Sequence, residues 1–363
     1  MMERAMSTLK QVAILGATGA VGQRLVQILA EHPWFAVTTV AASERSAGRP
    51  YAEAVHWLLP GPIPASLARL RVVPAVPEWV PEELVFSALD ASVATEAELA
   101  FRAAGRTVIS NASSHRWDPQ VPLVVPEINV GHLVLAQRQR EKYGGTIVAN
   151  PNCTTLGLCL ALEPLRLRFG LKRVLVTTLQ ALSGAGYPGV PSLEAVDNVL
   201  PEIAGEEQKV ETEPRKIFGR LNGDGVELAE VTISAQCNRV PVREGHLLSV
   251  SVELGAKATL EEVKQAFLDY RSPLSGLGFP SAPERPVLLT EASRRPQPLL
   301  DRDAAGGMAV TVGRVRPCPV LDYRFVALVH NTLRGAAGGT VLVGEVMVNK
   351  APRLSQARSP WRP

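Results

Sequence analysis

The sequence predicts an α/β fold: a parallel, doubly wound sheet in the first half, then an α+β second half with a mixed, largely antiparallel sheet. Two observations carry this expectation. Before Asn150, short apolar runs alternate with stretches of helical spacing, and the first run leads into a glycine-rich turn. Beyond Cys153 the runs lengthen and take on the alternation of half-buried strands.

Gln11 to Leu15 reads as a strand, Gly16 to Gly22 as a turn, Gln23 to Glu31 as a helix and Phe35 to Ala42 as the next strand. Leu84 to Ala88, Thr107 to Ser110 and Thr146 to Ala149 continue the sheet, and the proline-rich stretch Trp57 to Pro81 reads as surface wrapping. In the second half, Arg173 to Ala181, Gly225 to Gln236, His246 to Leu254 and Phe325 to His330 read as strands. Leu193 to Ile203 and Leu260 to Tyr270 have helical spacing, the latter opening after Thr259 with Glu261 and Glu262 in its first turn. Asn331 to Lys350 reads as a helix crossing back to the first half. The expected division is a first domain over 1–150, completed by 331–350, a second over 151–330, and a loose tail over 351–363.

With 363 residues the chain has room for two cores. Its 38 basic and 35 acidic side chains leave a formal charge of +3, too balanced to suggest a nucleic-acid or membrane-surface partner. No apolar run reaches transmembrane length and Met1 to Lys10 has no signal-peptide core, so a soluble cytoplasmic protein is expected. Cys153, Cys159, Cys237 and Cys318 show no C-x-x-C pairing, which suggests neither a disulfide framework nor a metal site.

Gly16-Ala17-Thr18-Gly19-Ala20-Val21-Gly22 follows a strand and opens a helix, the setting of a Rossmann-type pyrophosphate site. At the end of the second strand, Ser43 and Ser46 flank Arg45, which suits the 2′-phosphate of NADP; Glu44 could instead take ribose hydroxyls, as in NAD sites. Ser110 to Arg116 follows another strand of that sheet and suits an oxyanion or phosphate, or is an ordinary polar loop. Asn150-Pro151-Asn152-Cys153-Thr154-Thr155 joins a strand to a helix. Free N–H groups and the helix dipole there favour a Cys153 thiolate, a nucleophile at neutral pH; a small buried thiol is the plainer reading. The Ser183 to Gly189 loop after Gln180 lets a ligand approach backbone closely, or is a flexible connection. Asn238 to His246 supplies two arginines and His246, the natural acid/base partner for a thiol. Glu206 to Lys209 by itself reads as solvated surface.

Together and in this order, Gly16 to Gly22, Ser110 to Arg116, Pro151 to Thr155, Leu179 to Gly189, Gly205 to Pro214, Cys237 to His246 and His330 to Gly339 resemble the aspartate-β-semialdehyde dehydrogenase family. The wording is closest to its archaeal and fungal-type branch. The resemblance implies NADP-dependent reductive dephosphorylation of β-aspartyl phosphate to the semialdehyde, on the route to lysine, threonine and methionine. It implies Cys153 as nucleophile, His246 as acid/base and Gln180 as the group that orients the acyl carbon. Arg239 would bind the substrate carboxylate, Glu206 its amino group, and Arg116 and Lys209 the phosphate. Gly16, Thr18, Gly19, Ala20, Val21, Ser43, Arg45, Ser46, Ser87, Ser183, Gly184 and Asn331 would contact NADP. The Cys153 N–H and the Asn152 amide are the local donors for a tetrahedral oxyanion. A catalytic and dimerisation domain, assembled as a homodimer or a tetramer of dimers, is implied for the second half. Malonyl-CoA reductase is the nearest alternative and N-acetyl-γ-glutamyl-phosphate reductase a poorer one; a nucleotide-binding regulator that lost catalysis is the alternative from another class.

Overall fold

In the computed structural model, which describes residues 9–349, the first half forms a six-stranded sheet. Its strands are β1 (Lys10–Leu15), β2 (Phe35–Ala42), β3 (Val72–Pro74), β4 (Leu84–Ser87), β5 (Thr107–Ser110) and β6 (Thr146–Ala149). All run parallel, in the order β3-β2-β1-β4-β5-β6. The order reverses between β1 and β4, which leaves a crevice outside their carboxyl ends. β4, β5 and β6 are buried at every residue because helices cover both faces.

The proline-rich stretch does more than wrap the surface. After a helical turn at Ala65–Ala68 it supplies β3, an edge strand ending in Pro74, where a missing N–H costs no ladder bond. The first helix begins earlier than expected, at Ala20, inside the glycine-rich stretch, with Gly19 as its N-cap. The crossing segment forms a π-helical turn at Leu333–Ala337 and an α-helix at Gly338–Val348 that packs against β4 and β5. Gly344 permits this approach, since a Cβ there would lie 2.7 Å from the Phe86 ring. The expected tail over 351–363 lies outside the described residues.

Helix Cys153–Phe169 leaves β6 and runs through the centre of the second half, buried from Thr154 to Leu165. It packs on a sheet of β7 (Leu171–Gln180), β10 (Thr232–Arg239), β11 (His246–Leu254), β12 (Val287–Thr290), β13 (Val310–Pro317) and β14 (Tyr323–Val329). A small separate hairpin joins β8 (Arg220–Asn222) to β9 (Gly225–Glu227). The large sheet has the order β10-β7-β11-β14-β13-β12, antiparallel through its middle and parallel at both edges. Its other face is open: along β7, Leu175 and Leu179 are 45% and 39% exposed while Val174 and Val176 are buried.

Three expectations are corrected. The strand expected over Gly225 to Gln236 is broken, because Gly225–Glu227 turns back on Arg220–Asn222 and β10 starts only at Thr232. The helix expected over Leu193 to Ile203 forms one turn, Ser192–Ala195, and Leu200 then pairs with Arg239 on the free edge of β10. Leu193, Val196 and Val199 are all exposed, so the apolar positions that would line a longer helix gain no burial here. The charged run from Glu206, expected to be solvated, opens helix Glu206–Ile217, whose Glu206, Glu213 and Lys216 are buried.

Candidate active site

At the carboxyl end of β6 the chain turns on Asn152, the N-cap of helix Cys153–Phe169. Its Oδ1 accepts the N–H groups of Thr154 and Thr155 at 2.9 and 3.0 Å, a cap that stabilises the helix by about 1 kcal/mol. Its Nδ2 donates to Glu206 Oε1 at 2.9 Å. One of the two amide hydrogens is thus spent on Glu206, which leaves the other for the expected role of oxyanion donor. The N–H of Cys153, at the first helical position, has no acceptor within the helix and stays suited to that role.

Strand register brings the other groups to the same sulfur. β7 and β10 run parallel with Gln180 beside Arg239, and β11 runs back along β7 with Leu247 opposite Leu179. The ends of β7 and β10 thus meet the start of β11 at one edge of the sheet. There His246 Nε2 stands 3.3 Å from Cys153 Sγ. The peptide of Ala181 serves two groups: its N–H donates to His246 Nδ1 at 3.1 Å and its carbonyl accepts Arg239 Nη1 at 2.8 Å. Because Nδ1 accepts, the neutral ring carries its proton on Nε2, facing the sulfur.

Two glycines are dictated by this crowding. A Cβ on Gly184 would lie 2.8 Å from Arg239 Nη1 and 3.0 Å from His246 Cε1. A Cβ on Gly335 would lie 2.5 Å from the Cβ of Cys153. The π-helical turn brings Gly335 here, and Asn150 Nδ2 anchors its carbonyl at 3.2 Å.

Helix Glu206–Ile217 presents one face to the cysteine turn. Glu206 also accepts from Thr154 Oγ1 at 3.2 Å and lies 3.5 Å from Lys209 Nζ. Glu213 binds Arg116 Nη1 with one oxygen and the Asn152 N–H with the other, both at 2.8 Å. Lys216 Nζ donates to the carbonyls of Arg116, Asp118 and Val121 at 2.7, 2.8 and 2.9 Å. Arg116 Nη2 donates to Asn111 O at 2.9 Å, while its buried Nε has no hydrogen-bond partner among the described residues.

Burial pushes the Cys153 thiol up to about 12, with the Glu206 carboxylate adding to the shift and Thr154 and Arg116 opposing it. Burial, then Arg239 and His330, pull His246 down to about 3. The pair is therefore a neutral thiol beside a neutral imidazole. This corrects the thiolate expected from the helix terminus: loss of solvation and a nearby carboxylate outweigh the dipole.

At the opposite edge of the crevice, Gly16 has φ +72°, and a Cβ there would lie 2.5 Å from the Ala88 carbonyl. Gly22 lies against the Gly16 carbonyl, at 2.1 Å from a Cβ. Both therefore serve packing. Gly19 differs: it is exposed, caps the first helix without a side chain, and leaves the N–H groups at Ala20 and Val21 open to an anion. Gln23 ties this turn to the next segment through Thr18 O and His56 O, at 2.9 and 3.0 Å. Ser43 and Arg45 are exposed just beyond β2.

Residues 11–136 match the semialdehyde dehydrogenase NAD binding domain, and 162–334 match the semialdehyde dehydrogenase dimerisation domain. Aspartate-semialdehyde dehydrogenase of Archaeoglobus fulgidus is 48% identical over 93% of this chain and 98% of its own. The enzyme of the same name from Cryptococcus neoformans is 46% identical, over 94% and 97%. The chain belongs to the aspartate-semialdehyde dehydrogenase family. A crystal structure of the Candida albicans family member with NADP superposes with a TM-score of 0.87 at 39% identity, covering 94% of this chain and 98% of that one.

Two side chains that the family resemblance pointed to are buried within the protein. Ser87 is fully buried, and its hydroxyl has no hydrogen-bond partner among the described residues. Asn331 joins two site segments, donating to Ser183 Oγ at 2.8 Å and accepting the Gly245 N–H at 2.9 Å. Glu213, Lys216 and Ala181 escaped the sequence reading. The first two share the Glu206 face at helical spacing, a legible signal; Ala181 acts through its backbone, which no side-chain pattern can report.

Proposed function

We propose that this chain reduces β-aspartyl phosphate to aspartate β-semialdehyde, with NADPH, through a thioester on Cys153. The observation that carries the reading is the 3.3 Å contact between Cys153 Sγ and His246 Nε2 at the crevice of a dinucleotide-binding sheet. The named relatives support this activity and neither malonyl-CoA reduction nor a regulator without catalysis.

In this reading the Cys153 sulfur attacks the acyl carbon, the carbon–oxygen bond to phosphate breaks, and phosphate takes up the thiol proton and leaves as hydrogen phosphate toward Arg116 and Lys209. Arg116 offers a planar fork and Lys209 a point charge. NADPH supplies the hydride that reduces the thioester carbonyl. The Cys153 N–H supports the developing oxyanion, and Nε2–H of His246 stabilises the sulfur anion that departs as the thiohemiacetal collapses. Arg239 takes the substrate carboxylate, Gln180 orients the acyl group, and Glu206 takes the ammonium. That last pairing cancels the charge that helps hold the thiol up, so substrate binding lowers Cys153 toward ionisation.

The glycine turn with Thr18 to Val21 would cradle the pyrophosphate and Ser43, Arg45 and Ser46 the 2′-phosphate; Ser183 and Gly184 would also contact the dinucleotide. Among the described residues no helix is long and apolar enough to cross a membrane, which supports a cytoplasmic setting for this biosynthetic step. The open face of the large sheet, within the dimerisation-domain match, is where a second copy would dock to form a homodimer. Reduction of NADP by the purified protein with aspartate semialdehyde and phosphate, and its loss in Cys153→Ser with NADP binding retained, is the test; NADPH oxidation with malonyl-CoA instead would overturn the substrate assignment.

A further inference from the structure

We infer that Arg24 and Glu244 are positioning residues, whose ion pair registers the His246 end of β11 to the dinucleotide helix and thereby supports the hydride step. Arg24 lies on helix Ala20–Leu29, the helix whose N-terminus faces the glycine turn. Its guanidinium Nη2 pairs with Glu244 Oε1 across the two halves of the molecule. The two side chains are only 9% and 15% exposed, so bulk salt screens the pair weakly.

Glu244 is the most heavily engaged residue on the approach to His246. Its Oε1 also accepts from Thr332 Oγ1 at 3.2 Å, its Oε2 lies 3.8 Å from His330 Nε2, and its carbonyl accepts from Arg302 at 3.4 Å. Gly245 follows at φ +103°, a conformation that disfavours any side chain, and its N–H is held by Asn331 Oδ1 at 2.9 Å. His246 comes next. The same Asn331 holds Ser183, beside the Gly184 that packs on His246 and Arg239. One carboxylate thus links the helix that would hold the pyrophosphate to the strand start that carries the acid/base group.

Such a link is needed because hydride transfer joins parts held by different halves. The dinucleotide would be carried by the parallel sheet, whereas His246 and the cysteine that would hold the acyl carbon are placed by helix Cys153–Phe169 and the second sheet. Productive geometry tolerates a displacement of about 0.5 Å. The segment from Val240 to Gly245, interrupted by Pro241, is irregular and needs side-chain anchors to hold that tolerance.

This inference rests on the proposed function for the identity of the hydride acceptor. The test compares Arg24→Met, Glu244→Gln and the double variant with the unaltered protein. Four quantities are measured: turnover with aspartate semialdehyde, phosphate and NADP; the isotope effect with semialdehyde deuterated at the aldehyde carbon; NADP affinity; and the rate at which iodoacetamide alkylates Cys153. Each single variant is expected to lower kcat by about tenfold to about a hundredfold and to enlarge the isotope effect. NADP affinity, KM for the semialdehyde and the alkylation rate stay unchanged, and the double variant is no worse than the poorer single one. Normal kcat and isotope effect in both single variants overturn the inference. So does a fall in kcat matched by equal losses in alkylation and Tm, the mark of general destabilisation. Failure of the proposed function shows separately, as an unaltered protein that leaves NADP oxidised with this substrate.

Discussion

Glu213 holds Arg116 at 2.8 Å through one carboxylate oxygen while its other oxygen takes the backbone N–H of the residue before the nucleophile, again at 2.8 Å. The clamp proposed for the leaving phosphate and the turn carrying the attacking sulfur are therefore set by one buried side chain. Glu213→Gln keeps one acceptor and loses the charge. Turnover should fall by about tenfold to about a hundredfold, with KM for phosphate moving further than KM for the semialdehyde. Initial rates with each substrate varied in turn decide this, and equal KM changes would detach Glu213 from the phosphate side.

Gly335 has no room for a methyl group beside Cys153. Gly335→Ala should push the sulfur out of line and cost about a hundredfold in kcat, the scale of a displacement near 1 Å. NADP binding, measured by fluorescence titration, should persist because the glycine turn is untouched. Normal turnover would mean that the π-helical turn yields to the methyl group at no cost to the site.

His246 is held neutral, its pKa pulled down to about 3 by burial, whereas an unfolded histidine titrates near about 6.5. Between these values the unfolded chain binds a proton that the folded chain refuses. Stability should therefore fall as the pH drops from about 6.5 toward about 3, with this residue contributing up to about 1.4 kcal/mol per pH unit. Urea denaturation across that range should show a shallower acid limb in His246→Gln. An unchanged limb would show that the imidazole is not held neutral.

Leu175 and Leu179 stand exposed on the open face of β7. Replacing both by arginine should prevent a second copy from covering that face, since two desolvated charges without partners oppose association. Sedimentation velocity should then show a monomer where the unaltered protein is a dimer, and a persisting dimer would place the interface elsewhere.

Much of the fold was legible because it rests on local patterns. The short apolar runs of β1, β4, β5 and β6 and the capping Thr259 of helix Leu260–Asp269 announce themselves within a few residues. Leu193 to Ile203 misled because helical spacing implies one continuous face to be buried, whereas Leu193, Val196 and Val199 are exposed and Leu200 pairs along the edge of β10 instead. The Cys153, Gln180, Arg239 and His246 motifs were visible as motifs, but Pro241 and Gly245 hid the face that His246 takes. Strand pairing resolved this, since β11 returns along β7 and delivers its first residue to the end where β7 and β10 finish.

By itself the sequence determined which chemistry the chain carries: a thiol at a helix start, a glycine turn after a strand, and arginines and a histidine near one another. Those assignments depend on residue type and on neighbours along the chain. Tertiary structure alone decided which charges turn inward and in what protonation state the site rests. Arg24 meets Glu244, Arg116 meets Glu213 and Arg334 meets Glu127 across long stretches of sequence, so spacing holds no record of these pairs. The neutral Cys153–His246 pair likewise follows from lost solvation, a property of everything packed around two side chains and of neither residue's own type.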